Sequence, residues 1–265
     1  MKSLEKTIKI LDYLSEAERT VGITELSLKL NLPKSTVHRI LKDLLKYSIV
    51  EQEPETSRYK IGLRLLKYSN SLLKSFDLRQ IAQPILKRVC QETGETTFLT
   101  IWHNHQGICI DSIFPSSKIN THLFVEIGKE MPFHCAASSK VILANQSLEE
   151  IKKIIKQAPL PRHTPYTITD AEQLMNHLLE IRKQGFAFCE EELEEGIKAI
   201  AAPIKNLQGK TIASITITGL ASRLPLDNRE ELIDLVTTAA KEISKKLGYQ
   251  GEQSLKEKEG QALVK

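Results

Sequence analysis

The chain has 265 residues, of which 41% are hydrophobic and 26% charged, with a formal net charge of +4. This is the composition of an ordinary water-soluble globular protein, and the length suits a small domain joined to a medium-sized one. It excludes a disordered polyelectrolyte, and the absence of any apolar run near 20 residues excludes a membrane-spanning helix. The charge is unevenly placed. Residues 1–75 carry 14 Lys+Arg against 9 Asp+Glu, so the basic excess sits in the N-terminal quarter, where it suits a polyanionic partner. Cys90, Cys109, Cys135 and Cys189 are far apart, with neither CxxC nor zinc-ribbon spacing, so reduced thiols are expected rather than a disulfide framework. The start, MKSLEKTIKI, is charged and amphipathic, unlike a secretion signal, and a cytoplasmic location without membrane partner is expected.

In chain order, Leu4, Ile8, Leu11 and Leu14 recur at helical spacing and predict a helix over residues 3–17. Thr24 is a candidate cap for a short second helix reaching about Leu30. Asn31-Leu32 then makes a turn, and Pro33 falls where proline is tolerated, in the first turn of a third helix. Residues 48–61 read as two short strands about a Glu-Pro-Glu-Thr turn. An amphipathic helix with Leu65, Leu66, Leu72 and Leu73 follows. Another starts at Asp77, which Pro84 is expected to kink or divide.

From Thr96 the pattern turns β-rich in TTFLTIW, GICIDSIF and THLFVEI. SLEEIKKIIKQ is helical, and a helix opened by a Thr169-x-x-Glu172 capping box closes at Gly185. Strands are expected at Phe186–Cys189, Ile197–Ile204 and Thr211–Thr218, a last helix from about Asp227 to Leu247, and then a polar tail. The class is α+β: a helical domain with a β-wing, a linker helix, and a domain whose sheet is antiparallel.

The third helix carries the chemistry. At 100° per residue, Val37, Ile40, Leu41, Leu44 and Leu45 form one apolar stripe, while Ser35, Arg39, Lys42 and Lys46 lie opposite, flanked by Thr36 and His38. A short cationic helix with small hydroxyls at its start suits the DNA major groove, where its first residues reach base edges. Arg39 can pair bidentately with guanine, and Ser35 and Thr36 can bond phosphate or base edges. Lys42 and Lys46 suit phosphate, and Arg58 and Lys60 of the hairpin can follow the backbone beside the groove. With the short preceding helix and tight turn, these features make a winged helix-turn-helix over residues 1–62. Lys34, Ser35, Thr36, His38, Arg39, Lys42, Lys46, Arg58 and Lys60 are the candidate DNA contacts.

No GxSxG, P-loop, HExxH or paired-carboxylate arrangement is present, so no catalytic residues, no cofactor and no enzyme are expected. Five glutamates crowd the seven residues 190–196, which read as a solvated strand-to-turn segment. His134-Cys135 with Cys189 has no metal-ligand spacing, adjacent residues do not easily face one ion, and no metal site is expected. Ser214, Thr216 and Thr218 alternate with Ala213, Ile215 and Ile217, giving a strand with one polar face that is either solvated or lines a site.

LNLPKSTVHRILKDL, RYKIGLRLLKY, MPFHCAASSKVILA and GFAFCEEELEEGIKAIAAPI…GKTIASITITG together resemble the IclR family of bacterial transcriptional regulators over nearly the whole chain. The series Gly185, Glu192, Gly196, Ala202-Pro203 and Gly209 is the most specific part of the resemblance. It implies a winged helix-turn-helix (1–62), a linker helix (63–76), a GAF-like effector-binding domain (77–249) and a tail (250–265). It also implies a ligand-responsive regulator, repressing or activating catabolic genes, that binds a pseudo-palindromic operator on double-stranded DNA as a homodimer or a dimer of dimers. The family's effector positions fall here on Ala137 and Ser138, in the loop before a short helix whose backbone N–H groups suit a carboxylate, and on Cys189, Ala199, Thr216 and Thr218. Ser139 stands where glycine is common in the family, Cys189 where some members have aspartate, and Ala199 where some have cysteine.

Overall fold

A computed structural model describes residues 3–17, 19–74, 76–115, 125–224 and 229–251. The chain divides into two compact units, Met1–Phe76 and Asp77–Lys265.

The first unit starts with α1 (Ser3–Glu16), α2 (Ile23–Lys29) and α3 (Lys34–Lys46), followed by a hairpin of β1 (Val50–Gln52) and β2 (Tyr59–Ile61) and by α4 (Arg64–Lys74). Ile10, Leu14, Val21, Leu26, Val37, Ile40, Leu41, Val50 and Tyr59 form its core. The α1 stripe is rotated from expectation: Ile10 and Leu14 face inward, whereas Leu4 and Ile8 are exposed. Thr24 does not cap α2. Gly22 occupies the cap without a side-chain bond, and Thr24 lies within the helix. Asn31 takes the left-handed conformation (φ 51°) that asparagine tolerates, which ends α2 and reverses the chain. Pro33 is the residue just before α3, not in its first turn. A bridge from Val21 to Tyr59 ties the wing to the segment before α2.

In the second unit α5 (Asp77–Thr93) continues through Pro84 as one helix. Pro84 is on the exposed side, where the carbonyl it leaves unbonded can meet water. Ala82, Ile85, Leu86 and Val89, buried on the other side, hold the turns before and after it. The sheet comprises β3 (Thr96–His103), β4 (Gln106–Ile113), β5 (Glu130–Met131), β6 (Ala187–Glu190), β7 (Ile197–Lys205) and β8 (Thr211–Leu220), in the order β5-β4-β3-β8-β7-β6. Every neighbouring pair is antiparallel. Of the THLFVEI segment, residues 121–124 lie outside the described residues and Val125–Ile127 form no strand; the short strand comes later, at β5.

Against the sheet pack α5, α6 (Ala137–Ala144) and α9 (Arg229–Lys246); α8 (Ala171–Gln184) packs on α6, and α7 (Leu148–Gln157) packs on α8. Asp170, not Thr169, caps α8, its carboxylate accepting the Gln173 N–H at 2.8 Å, and Gly185 closes the helix at φ 83°. The first residues expected for the last helix, and those of the tail beyond Gly251, lie outside the described residues. Ala137 and Ser138 open α6 rather than sit in a loop before it; all eight residues of this helix are buried, so no amphipathic pattern marks its start in the sequence.

Candidate functional site

On the first unit, α3 presents Lys34, Ser35, His38, Arg39, Lys42 and Lys46 to solvent, with Thr36 half-buried. Lys46 pairs with Asp43 at 3.1 Å; among the described residues no ion pair holds Lys34, Arg39 or Lys42. The helix start is left open, since Pro33 offers no side-chain cap. The wing residues differ. Lys60 is exposed and 3.7 Å from Glu51. Arg58 turns back, its Nε donating to the Thr20 carbonyl at 2.9 Å and a guanidinium nitrogen lying 3.4 Å from Glu25. Glu25 also accepts from Arg19 at 2.7 Å and from the Tyr13 hydroxyl at 3.0 Å, and the Arg19 hydrogen bond above all holds its carboxyl below the usual range. Arg58 is thus a brace between wing and α2 as well as a cation.

On the second unit, antiparallel register aligns Cys189 with Ala199, Ala199 with Thr218, and Ala201 with Thr216 across β6, β7 and β8. Directly opposed residues share a face, and this face looks toward α6. The polar side of β8 is therefore not solvated: Ser214, Thr216 and Thr218 are all buried. Ser214 donates to the Ser138 carbonyl at 2.9 Å and fixes the start of α6 over the sheet. Between them lies a cavity of about 350 Å³ lined by Ala137, Ser138, Cys189, Ala199, Thr216 and Thr218, all six positions that the family pattern indicates. The rest of its wall includes Phe98, Val125, Met131, Leu193 and Ile197, with Lys129, Glu194 and His163 also on it. Met131, Leu193, Glu194 and Ile197 lie in segments that resemble the family without being marked as effector positions, and Phe98, Val125, Lys129 and His163 come from elsewhere in the chain with no motif to show them.

Within this cavity the Ser138 and Thr216 hydroxyls are buried without a hydrogen-bond partner, whereas the Thr218 hydroxyl donates to the Lys198 carbonyl at 2.9 Å. Ala136 precedes α6 and supplies no cap, so the first N–H groups of the helix lack a side-chain acceptor. Burial pushes the Cys189 thiol up, which keeps it a neutral wall group. Ser139, the departure from the family's glycine, donates to the Met131 carbonyl at 2.6 Å, and its hydroxyl occupies the space a Cβ on Gly107 would need. The two positions are complementary.

Behind the cavity, Lys140 is wholly buried. Its ammonium lies 2.5 Å from Glu192 and 3.3 Å from the His177 ring. Glu192, expected to be part of a solvated acidic run, is buried too. Burial pushes its carboxyl up and Lys140 pulls it part of the way back. Thr164 and Thr167 donate to the carbonyls of Glu191 and Glu192 at 2.7 and 2.6 Å, anchoring the α7–α8 connection to this segment. The same connection brings His163, not Cys189, to His134 and Cys135, and a ligand atom of each of the three lies within 4.8 Å of the others.

A winged helix-turn-helix with an open cationic helix, and a second unit with a sheet-floored cavity under a helix N-terminus, define a DNA-binding regulator that responds to a small molecule. Two family models match, the IclR helix-turn-helix domain over residues 3–54 and the bacterial transcriptional regulator IclR C-terminal domain over residues 70–245. The chain is 34% identical over 249 residues to the HTH-type transcriptional regulator KdgR of Dickeya chrysanthemi, covering 94% of this chain and 81% of that one. It is 32% identical over 256 residues to the transcriptional repressor IclR of Escherichia coli K12, covering 95% and 91%. The crystal structure of Thermotoga maritima IclR superposes with a TM-score of 0.75 at 32% identity, covering 93% of this chain and 99% of that one. The chain belongs to the IclR family of bacterial transcriptional regulators. Its relatives are regulators rather than enzymes, and no helix among the described residues is long and apolar enough to cross a membrane.

Proposed function

We propose that this protein represses a catabolic operon and releases its operator when a small carboxylate-bearing metabolite enters the α6 cavity. The observation that carries the effector part is the pairing of an uncapped helix N-terminus with two unpartnered buried hydroxyls, Ser138 and Thr216, in one mainly apolar cavity. Helix N-termini favour anions, and buried hydroxyls without partners are costly unless a ligand bonds them. A volume of about 350 Å³ suits a small metabolite. The apolar wall would hold its carbon skeleton, with the carboxylate at Ala137 and Ser138.

DNA would be read by α3. Arg39 is assigned to a guanine edge, Ser35, Thr36 and His38 to nearby edges or phosphates, and Lys34, Lys42, Lys46 and Lys60 to phosphates. Leu4 and Ile8 of α1 and Leu63, Leu66 and Leu72 at α4 are exposed on this same unit, and such apolar faces favour self-association. A homodimer, or a dimer of dimers, would then set recognition helices roughly 34 Å apart on a pseudo-palindrome. Repression rests on the likeness to the transcriptional repressor IclR.

The test is a gel shift on the DNA upstream of the protein's own gene, with unrelated DNA as competitor and small carboxylic acids as additives. Expected is a shift that survives competitor and is reversed by one acid but not by its amide. A shift lost to competitor would refute sequence-specific reading. An amide as effective as the acid would refute the anion site.

A further inference from the structure

We propose that His134, Cys135 and His163 form a binding site for a borderline-soft transition-metal ion of the zinc class. One ligand atom from each residue lies within 4.8 Å of the other two. A tetrahedral zinc ion with imidazole and thiolate ligands needs these atoms about 3.3–3.6 Å apart. The remaining closure is of order 1 Å at most, and His163 is an exposed side chain.

The imidazole of His134 is already set as a ligand. Its Nε2 lies 2.9 Å from the Pro161 carbonyl. A carbonyl only accepts, so Nε2 carries the proton and Nδ1 carries the lone pair. That Nδ1 is buried with no hydrogen-bond partner, in a residue only 2% exposed. A ring that donates one N–H to a backbone carbonyl and leaves the lone pair of its other nitrogen unpaired has the hydrogen-bonding pattern of metal-binding histidines. The Cys135 thiol beside it is buried as well.

The backbone around these ligands is braced. His134 and Cys135 precede α6, whose position Ser214 and Ser139 fix through their hydrogen bonds. The His163 N–H donates to the Thr167 hydroxyl at 3.1 Å, and Thr167 is itself held by the Glu192 carbonyl. Two imidazoles and one thiolate, with no carboxylate, select against magnesium and calcium and for zinc, cobalt, nickel or copper. Three protein ligands leave one coordination position for water or another oxygen donor. His163 also lines the α6 cavity, so an ion here would tie the α7–α8 connection to the α6 turn at the cavity wall. None of this depends on the ligand proposed for that cavity.

Full-length protein stripped with a chelator is titrated with Co²⁺ as a spectroscopic probe, then with Zn²⁺. Expected is one Co²⁺ per chain, with a thiolate-to-cobalt charge-transfer band and tetrahedral d–d bands that Zn²⁺ abolishes. Cys135→Ser loses the charge-transfer band. His163→Ala, a change at an exposed side chain, weakens Co²⁺ binding by roughly tenfold or more. Circular dichroism and size-exclusion chromatography establish that each variant is folded. A charge-transfer band that survives Cys135→Ser, unchanged affinity in His163→Ala, or no cobalt spectrum from folded wild-type protein would each overturn the site.

Discussion

The helices α3 and α6 begin alike, with small hydroxyl residues and a cation in their first turn, yet the two regions use them in opposite ways. On α3, Lys34, Arg39 and Lys42 stand in solvent with no ion pair among the described residues, available to a partner that brings its own negative charge. On α6, Lys140 has no exposure and its charge is spent on Glu192 and His177. An exposed lysine interacts weakly and at long range, whereas a buried one must be matched within the fold. Residue type at a helix start therefore says little until burial is known.

The largest expected effect breaks the buried side of that comparison. Lys140→Met leaves Glu192 an unpaired carboxyl in the interior, at a cost of about 3–5 kcal/mol. Denaturant unfolding should show this as a lower midpoint with an unchanged slope. Replacing both partners, Lys140→Met with Glu192→Leu, should recover most of the loss, because two apolar groups need no match. A single variant as stable as wild type would mean that the pair contributes nothing to folding.

His177 comes next. Burial, reinforced by the Lys140 charge, pushes its imidazole down to about 4. The unfolded chain titrates near its ordinary value of about 6.5, so between these values the unfolded state holds a proton that the folded state refuses. The contribution is fully present above pH ~6.5 and is lost as the pH falls toward 4. Burial pushes the carboxyl of Glu192 up, which acts in the opposite sense. The informative quantity is therefore wild type minus His177→Gln. That difference should shrink as the pH drops from 7 to 4; a flat difference would place the ring in a solvated environment.

The same contrast explains what could be read from the sequence. The 100° periodicity of α3 separates Val37, Ile40 and Leu41 from Arg39 and Lys42, so a helix half in water announces both its fold and its chemistry. β8 announced its alternation, but not that both its faces are covered. α6 has no polar face to mark it, and Glu192 reads as a surface charge because its pairing with Lys140 across 52 positions leaves no local pattern. The family resemblance pointed to Ala137, Ser138, Cys189, Ala199, Thr216 and Thr218, which line one cavity. Its wall at Phe98, Leu193 and His163, and the meeting of His163 with His134 and Cys135, arise only from tertiary packing.

On the exposed side, Arg39→Ala should cost about 1–3 kcal/mol in operator affinity and relax the preference at one base pair. Lys42→Ala should weaken all sequences alike and reduce the slope of log affinity against log salt by roughly 0.9. Binding measured at several salt concentrations, on operator and on random DNA, tells the two apart. Equal losses on both DNAs for Arg39→Ala would remove its base-reading role.

The smallest effect is expected at Arg58, where the comparison is sharpest because the side chain is engaged by its own fold without being buried. Its bonds to the Thr20 carbonyl and Glu25 hold the wing against the start of α2. Surface pairs of this kind contribute little to stability. Arg58→Ala should therefore lower the melting temperature only slightly, and it should weaken operator and random DNA equally by letting the wing drift. The salt slope discriminates. If Arg58 chiefly braces the wing, the slope stays near wild type; if it gives its charge to a phosphate, the slope falls by as much as in Lys42→Ala. The second result would mean that DNA outcompetes Glu25 for this guanidinium, which Glu25 can yield because Arg19 and Tyr13 remain on it.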